Sequence, residues 1–440
     1  MSYNIISKFV LVIIFLLSCS NMLFADDDIS LSNIDSEFGG HFKLRGRSSW
    51  YDSESFYGSL DSGTYYDFNS EFRLKNELFF ADWGAFVTHY EAVFGAGDTR
   101  KNTKKLFQSS QEESISTIFS SQTINDDRRL MDLTRVFSEG DDYVSYHRLD
   151  RFFLTLLPSW GSVKLGRQAV TWGNGLLFNP FDLFNPFSPT DIERDYKVGD
   201  DLLSVEANLS KESDFQFLIV PRRDPITSSL EADSSSFAGK FHFSHNEKEF
   251  SLILAKHYED TVVGLGGVGY IKDAAWRINA TWTFLDKEYD YTKSGFLSLV
   301  GNIDYSWVWW SKNLYGYLEF YFNSLGDDDY DSLIDNDAII ERINRGELFT
   351  LGRAYLSANM RLEVHPLLNL YLTIINNIED SSGMLQPRCA WDIMQDLDLT
   401  LGANLPYGGK GSEYGGIPTT NSNYFIQSPS SLYLWLSWYF

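Results

Sequence analysis

Histidines and serines are the residues of this chain that could carry hydrolytic chemistry. The seven histidines are His41, His89, His147, His242, His245, His257 and His365. His242 and His245 form an H-x-x-H motif, but on a strand this odd spacing directs them to opposite faces, so we do not expect a shared metal. The sequence also lacks the Gly-x-Ser-x-Gly turn of a serine hydrolase. We therefore predict that the protein is not an enzyme.

Alternating carboxylates in residues 325–337 are the second candidate for chemistry. Asp327, Asp329 and Asp331 follow the pattern of a calcium loop, because hard cations take several carboxylate oxygens. The segment lacks the glycine and the distal glutamate of the helix–loop–helix site. We predict no cofactor, and we keep as alternatives Ca²⁺ at the 327–337 loop and cation bridging to lipopolysaccharide there.

The last ten residues form the clearest element of the chain. Every second residue is apolar, and this face consists of Leu432, Leu434, Leu436, Trp438 and Phe440. As the edge of a soluble sheet, so apolar a strand would aggregate. A terminal Phe with this alternation resembles the C-terminal signature of outer-membrane barrels. That resemblance implies that Trp438 and Phe440 are a signal for the barrel assembly machinery.

The N-terminus has the features of an export signal. Lys8 precedes the apolar run Phe9 to Leu17, which is too short to span a bilayer. Ordinary cleavage would follow Ala25, whereas a lipobox ending at Cys19 would be cut after Ser18. We favour the ordinary site and predict a signal peptide over 1–25, a short periplasmic segment over 26–38 and an outer-membrane barrel over 39–440. The predicted location is the outer membrane of a Gram-negative bacterium.

Strands with alternating faces fill the remainder of the chain, from 39–50 to 428–440. In the strand near 65–80, Phe68, Phe72 and Leu74 share one face, and charged residues occupy the other. Short turns alternate with mostly long connections, including 95–144 and 173–200. The fold class is therefore all-β, an antiparallel up-and-down transmembrane barrel of about 18 strands with 16 as the alternative count, long extracellular loops and short periplasmic turns.

Charge and cysteine content exclude other classes of protein. The formal charge is −24, which argues against a nucleic-acid partner because such a partner requires a basic face. Of the two cysteines, Cys19 lies in the predicted signal, so Cys389 would be alone in the mature chain. No internal disulfide is then possible.

Charged faces must turn away from lipid, because unpaired polar groups in hydrocarbon are costly. A barrel of 16–18 strands leaves an aqueous lumen, and rings of opposed charge there select solutes by charge and size. Alternatively, these charges pair across strands and stiffen the wall. The pore-lining candidates are Lys43, Arg45, Arg47, Glu71, Arg73, Lys75, Glu77, Arg277, Glu319, Arg361, Glu363 and Asp398.

Residues 165–201 are the most distinctive stretch of the chain. Two Asn-Pro-Phe triplets surround Asp182, and Asn-Pro pairs favour turns and end strands. We predict a rigid, folded loop that packs inside the barrel mouth. The candidates for a constriction or plug are Trp172, Asn179, Asp182, Asn185 and Arg194. For the basic run in the other long loop, 100–105, we favour a solvated loop over a constriction.

The same stretch resembles a family of uncharacterised, porin-like Gram-negative outer-membrane barrels. The similarity consists of Gly166-Arg167-Gln168, then Trp172-Gly173, then Asn185-Pro186-Phe187. The resemblance implies the barrel fold, and it implies an inner-membrane exporter of the resistance–nodulation–division type as a partner, since some members accompany such exporters. Arg167 conflicts with the pattern, because a strand near 162–172 would direct it toward lipid.

These observations predict a porin-like channel for passive or selective passage of small hydrophilic solutes through a lumen of mixed charge. The alternatives are a barrel partner of an export or lipid-transfer system, and a surface receptor or adhesin that uses acidic outer loops. Outer-membrane lipid, lipopolysaccharide and the assembly machinery are the other predicted partners. The pattern assigns neither a solute nor an oligomeric state, and it is compatible with an open or a plugged lumen.

Overall fold

Long antiparallel strands dominate the computed structural model, which describes residues 34–60, 63–109, 124–191, 196–286, 294–330, 336–418 and 424–440. Within these ranges the strands are β1 Ile34–Trp50, β2 Thr64–Phe80, β3 Gly84–Gly97, β4 Thr134–Glu139, β5 Tyr143–Leu156, β6 Gly161–Gln168, β7 Asp200–Asn208, β8 Ser213–Val220, β9 Ser236–His245, β10 Lys248–His257, β11 Asp260–Ile271, β12 Ala274–Phe284, β13 Gly295–Trp309, β14 Lys312–Asn323, β15 Ala354–His365, β16 Leu368–Asn377, β17 Gly383–Met394, β18 Leu397–Tyr407, β19 Ile417–Pro418, β20 Phe425–Ile426 and β21 Ser430–Tyr439.

Eighteen of the strands in the described ranges form one closed antiparallel barrel. Each pairs with its neighbours along the chain, and β21 closes the ring by pairing with β1. β4 joins the sheet through β5, while β19 and β20 pair separately. Closing the ring removes the two edges that an open sheet would leave, so most backbone groups of the wall are satisfied without water. The predicted fold class and strand count are confirmed.

The two rims of the barrel differ. On one rim, tight hairpins join the strands, and pairs such as Asn246–Glu247 and Trp310–Ser311 have positive φ, as two-residue hairpin turns require. The other rim has the long connections, among them 98–142, 169–199, 324–353 and 408–429. On this rim, β10 and β11 are an exception, because only two residues separate them. Both described ends of the chain lie on the short-turn rim.

The strand faces follow the sequence alternation. On β21, Leu432 and Leu434 are exposed on the outside, whereas Ser431 and Tyr433 are buried inside. Trp83, Trp160 and Trp310, all at or next to short turns, are also exposed. Indole rings prefer the boundary between lipid and water, so their clustering agrees with an aromatic girdle at this rim.

In the described ranges, two helices lie in the long connections. α1 is Asp98–Ser109 and α2 is Asp337–Arg345. The side chain of Asn336 accepts hydrogen bonds from the first turn of α2, and Gly346 ends it with a φ of 71°. No helix in the described ranges is long and apolar enough to span a membrane.

β6 ends earlier than the sequence predicts, and this difference resolves the conflict at Arg167. The strand stops at Gln168, and Gly166 has a φ of 127°. That conformation reverses the alternation after Leu165, so Arg167 turns inward and is buried. A Cβ on Gly166 would lie 2.3 Å from the carbonyl oxygen of Phe152. Only glycine fits there.

Gly166→Ala should therefore lower the stability of the barrel. The strained backbone alone should cost about 2 kcal/mol, and the collision with β5 adds to this cost. Urea unfolding in detergent measures the effect. Gly46→Ala is the matched control, because no atom lies within 4 Å of its Cβ position. Equal unfolding midpoints for the two variants would contradict this explanation of the glycine.

Candidate functional site: the folded loop and the charged lumen

The connection after β6 folds into the barrel. In its described residues, 169–191 and 196–199, Trp172, Phe181 and Phe184 are buried. These rings pack against inward-facing residues of the wall, including Leu218 and Ile253. The loop therefore has its own apolar core with the barrel. We refer to residues 169–199 as the inner loop.

The wall is shaped to receive this loop at β11. Gly264 and Gly266 lie beneath the ring of Phe181, and an added Cβ at either position would lie 2.8 or 2.9 Å from ring atoms. Both residues are in the inward-facing register of the strand. Side chains here would displace Phe181, so glycine permits the close approach of ring and backbone.

Glu319 on β14 holds the middle of the inner loop. Its carboxylate accepts backbone N–H bonds from Leu176 at 2.7 Å, Leu177 at 3.0 Å and Phe178 at 2.7 Å. Asn302 donates a fourth bond to it at 3.0 Å. Three successive amides in a buried turn have no strand partner, and an ionised carboxylate can accept all of them. Glu319 was predicted to line the pore, but only 1% of it is exposed.

Contacts with distant strands extend the anchoring across the barrel. The indole N–H of Trp172 donates to Gln216 of β8 at 2.8 Å. Phe178 stacks on Tyr321 of β14, with ring centres 4.4 Å apart. The side-chain amide of Gln386 on β17 donates to the carbonyl of Thr190 at 3.1 Å. The inner loop thus crosses the lumen.

The two ends of the inner loop are joined by polar contacts. Lys197 donates to Asp182 at 2.5 Å and to the carbonyl of Val170 at 2.5 Å. Burial raises the pKa of Asp182 to about 6, and the Lys197 ammonium opposes that shift. Asn179 donates to the carbonyl of Trp172 at 2.7 Å, and Asn185 donates to that of Val198 at 3.3 Å.

Tyr196 attaches the returning part of the inner loop to β1 and β2. Its ring lies parallel to that of His41 at 5.7 Å, and the Arg73 guanidinium is 4.5 Å from its centre. Lys75 donates to its hydroxyl at 3.1 Å. Aromatic rings attract cations to their faces, so the basic side chains of the wall stabilise Tyr196 in this position.

Between this loop and the wall formed by β1, β2, β3 and β5 lies a cavity of about 1080 Å³. It brings together four of the predicted pore-lining residues, Arg45, Arg47, Glu71 and Arg73. Its basic lining residues are Arg45, Arg47, Arg73, Arg100, Lys104, Arg128, Arg129, Arg148, Arg222 and Arg345. Its acidic ones are fewer, namely Asp67, Glu71, Glu91, Asp150, Asp191 and Asp200. The cavity is basic inside an acidic protein.

Cross-strand ion pairs stiffen the cavity wall. Arg148 donates to Glu91 at 2.5 Å, and Arg73 donates to Asp150 at 2.5 Å. Arg45 lies 3.2 Å from Glu71. The lining cations outnumber the lining carboxylates, and some of them pair with carboxylates outside the lining, as Arg100 does with Glu139 and Arg345 with Glu259.

Sequence reasoning missed several of these residues. Arg148 lies on the inward register of β5 beside Asp150, so the alternation in that strand was an available signal. Arg128, Arg129 and Arg222 lie in long connections, where no periodicity indicates which way a side chain points.

The remaining pore-lining candidates lie elsewhere. Lys43 is buried in the wall, and Arg277 pairs with Asp304 at 2.9 Å. Glu77 and Glu363 lie on the short-turn side, where their partners are His89 at 3.7 Å and Asn313 at 3.2 Å. Arg361 stacks over Tyr315, and Asp398 faces Asp392 across a strand pair.

Two candidates, Arg194 and Asp331, lie outside the described residues, as do the predicted signal peptide and its alternative cleavage sites. Asp327 accepts a bond from Arg353 at 3.2 Å. In the part of the chain that the structure describes, no group of three His, Cys, Asp or Glu residues is arranged to hold a metal ion. At the other end of the chain, the Phe440 carbonyl accepts a bond from Gly40 at 2.9 Å, beside Trp438.

No family model and no curated protein sequence matches this chain. Solved structures do match. OccAB3 of Acinetobacter baumannii aligns with a TM-score of 0.53 and 8% identity, over 92% of this chain and 99% of that one. A BenF-like porin from Pseudomonas fluorescens Pf-5 aligns with a TM-score of 0.52 and 9% identity, over 92% of this chain and 98% of that one. Pseudomonas aeruginosa OccK2 (OpdF), solved in complex with glucuronate, aligns with a TM-score of 0.51 and 9% identity, over 92% of this chain and 98% of that one. At such low identity, the likeness establishes a shared barrel architecture.

Glu319→Gln should loosen the inner loop. The side-chain amide of glutamine has one acceptor oxygen where the carboxylate has two. The backbone N–H groups of residues 176–178 would therefore lose hydrogen bonds worth roughly 2 kcal/mol. We expect faster hydrogen exchange at Leu176–Phe178 by mass spectrometry, with an intact barrel. Glu363→Gln is the control, since Glu363 is on the short-turn side and accepts a bond from Asn313. Unchanged exchange in Glu319→Gln would show that the carboxylate does not anchor the loop.

Proposed function

We propose that the protein is an outer-membrane channel that passes small anionic solutes selectively. The observation that carries this proposal is the cavity of about 1080 Å³ between the inner loop and the wall, with ten basic and six acidic lining residues. A closed barrel with an apolar outer face suits a membrane, and a positive cavity within it attracts anions.

The inner loop supplies the selectivity in this proposal. A barrel of eighteen strands without an inserted segment would leave a wide aqueous pore. The inner loop occupies that space and is attached to β8, β14 and β17 by the bonds of Trp172, Glu319 and Gln386. The route for a solute is then confined to the loop's margin, where Asn185, Thr190 and Tyr196 face the basic wall.

One structurally similar protein supports this proposal. OccK2 was solved with glucuronate, a sugar that bears a carboxylate. A hydrated carboxylate of that size fits a cavity of about 1080 Å³, and guanidinium groups can bind it in a bidentate manner. We therefore propose monocarboxylates such as glucuronate as the solute class. The partners predicted from the sequence, among them lipopolysaccharide, the assembly machinery and an exporter, stay predictions.

Single-channel recording in a planar bilayer tests the proposal. In a KCl gradient we expect a reversal potential of the sign for Cl⁻ over K⁺, and added glucuronate should interrupt the current. Arg45→Gln should reduce the preference for Cl⁻ by about twofold or more, because it removes one cation of the cavity wall.

Lys248→Gln is the matched control, since this exposed lysine adjoins a short turn outside the cavity. It should leave the reversal potential unchanged. A correctly folded barrel that carries no current would refute the channel. A preference for K⁺ in the unmodified protein would refute the anionic solute class.

A further inference from the structure

The barrel wall is discontinuous between β5 and β6. β5 pairs with β6 along Phe152–Leu156, whereas its long-loop half, Val144–Arg148, has β4 as its partner on that side. β6, β7 and β8 are also short, at 8, 9 and 8 residues. In the described ranges, residues 124–139 therefore complete the wall near the long-connection rim, between β5 and the ends of β6–β8. We call these residues the wall insert.

Side chains hold much of the wall insert in place. The buried guanidinium of Arg167 donates to Asp126 at 3.0 Å, to the Met131 carbonyl at 2.5 Å and to Asp201 at 2.8 Å. The backbone N–H of Arg223 donates to the Arg128 carbonyl at 3.0 Å. On the side facing β6–β8, the described contacts of the insert are thus mainly the hydrogen bonds of Arg167 and one isolated antiparallel bridge between Arg129 and Arg222. These few contacts can separate without breaking a continuous strand ladder.

The two faces of the wall insert differ in chemistry. Asn125, Arg128 and Arg129 line the basic cavity on the inner side. On the outer side, Leu130 and Phe137 are exposed, and so is Leu165 on the adjoining β6. In the described residues, a single layer of chain therefore separates a group of guanidinium ions from an outer surface that bears apolar side chains and the exposed ion pair of Arg135 with Asp132.

We propose that the wall insert is a side gate through which single-chain amphiphiles with an anionic head pass between the cavity and the membrane. The inference rests on the proposed channel. The head group binds the arginines of the cavity, and the alkyl tail lies between β5 and the ends of β6 and β7. A tail that leaves the lumen sideways avoids water, which favours longer chains.

Block of the current by alkanesulfonates from butane- to dodecanesulfonate tests the gate. Sulfonates stay charged, so head binding is constant across the series. If the tail leaves through the wall, each added methylene should strengthen block by about fourfold. A disulfide can hold the gate closed. We refer to the double variant Arg128→Cys/Arg223→Cys in a Cys389→Ser background as the lock, because antiparallel partners at this spacing suit a disulfide. Relative to the reduced form of the same double variant, oxidation should remove the dependence on chain length, and reduction should restore it.

Ser49→Cys/Ser431→Cys is the matched control, since this pair joins β1 and β21 in a continuous part of the wall. Its oxidation should leave the chain-length dependence intact. Block that ignores chain length, or that is the same in the oxidised and reduced lock, would overturn the gate.

A second readout does not require current. An alkanesulfonate with a photoreactive tail should label the peptide that contains Leu130 and Phe137 in the reduced lock, and oxidation should abolish this labelling. Labelling that follows the disulfide in a barrel without current would support the gate and refute the channel. Steady anion current with labelling that ignores the disulfide would overturn the gate and leave the channel standing.

Discussion

The need to satisfy every backbone polar group away from water governs this structure. The wall meets it by closing eighteen strands into a ring, in which β21 returns to β1. The inner loop faces the same requirement without a strand partner. Glu319 meets it by accepting three successive N–H groups, and Asn179 and Lys197 satisfy carbonyls within the loop. Buried charge in the lumen therefore serves to support backbone that is not part of a ladder.

This requirement also explains where the protein has retained positive charge. Cations in the wall find carboxylates across the strands, as Arg148 does at Glu91 and Arg73 does at Asp150. Other arginines enter the cavity from the long connections, so that ten basic residues face six acidic ones in its lining. The result is a basic passage within a chain of net charge −24. Overall charge thus describes the solubility of the chain, and the local arrangement determines which solute is attracted.

The features that the sequence could predict were those that follow from the alternation of apolar and polar residues. Strands with a period of two, such as β2 and β21, revealed both their bounds and their inner faces, because lipid enforces the alternation. The prediction from alternation failed at Gly166. There a positive φ exchanged the inward and outward positions of the strand and turned Arg167 inward. It also could not show that Glu319 supports a loop 140 or more positions away in sequence, since no local pattern encodes that pairing. For the inner loop, the Asn-Pro doublet predicted a folded insert, but its contacts required the structure.

The central claim is that the inner loop narrows the lumen and confines solutes to the basic wall. The most direct measurement is single-channel conductance after residues 174–190 are replaced by a short Gly-Ser connection. The account predicts larger, ohmic current steps and a weaker preference for Cl⁻, because the replacement opens the lumen beside the arginines. Conductance and ion preference equal to those of the unmodified protein, in a folded barrel, would contradict it.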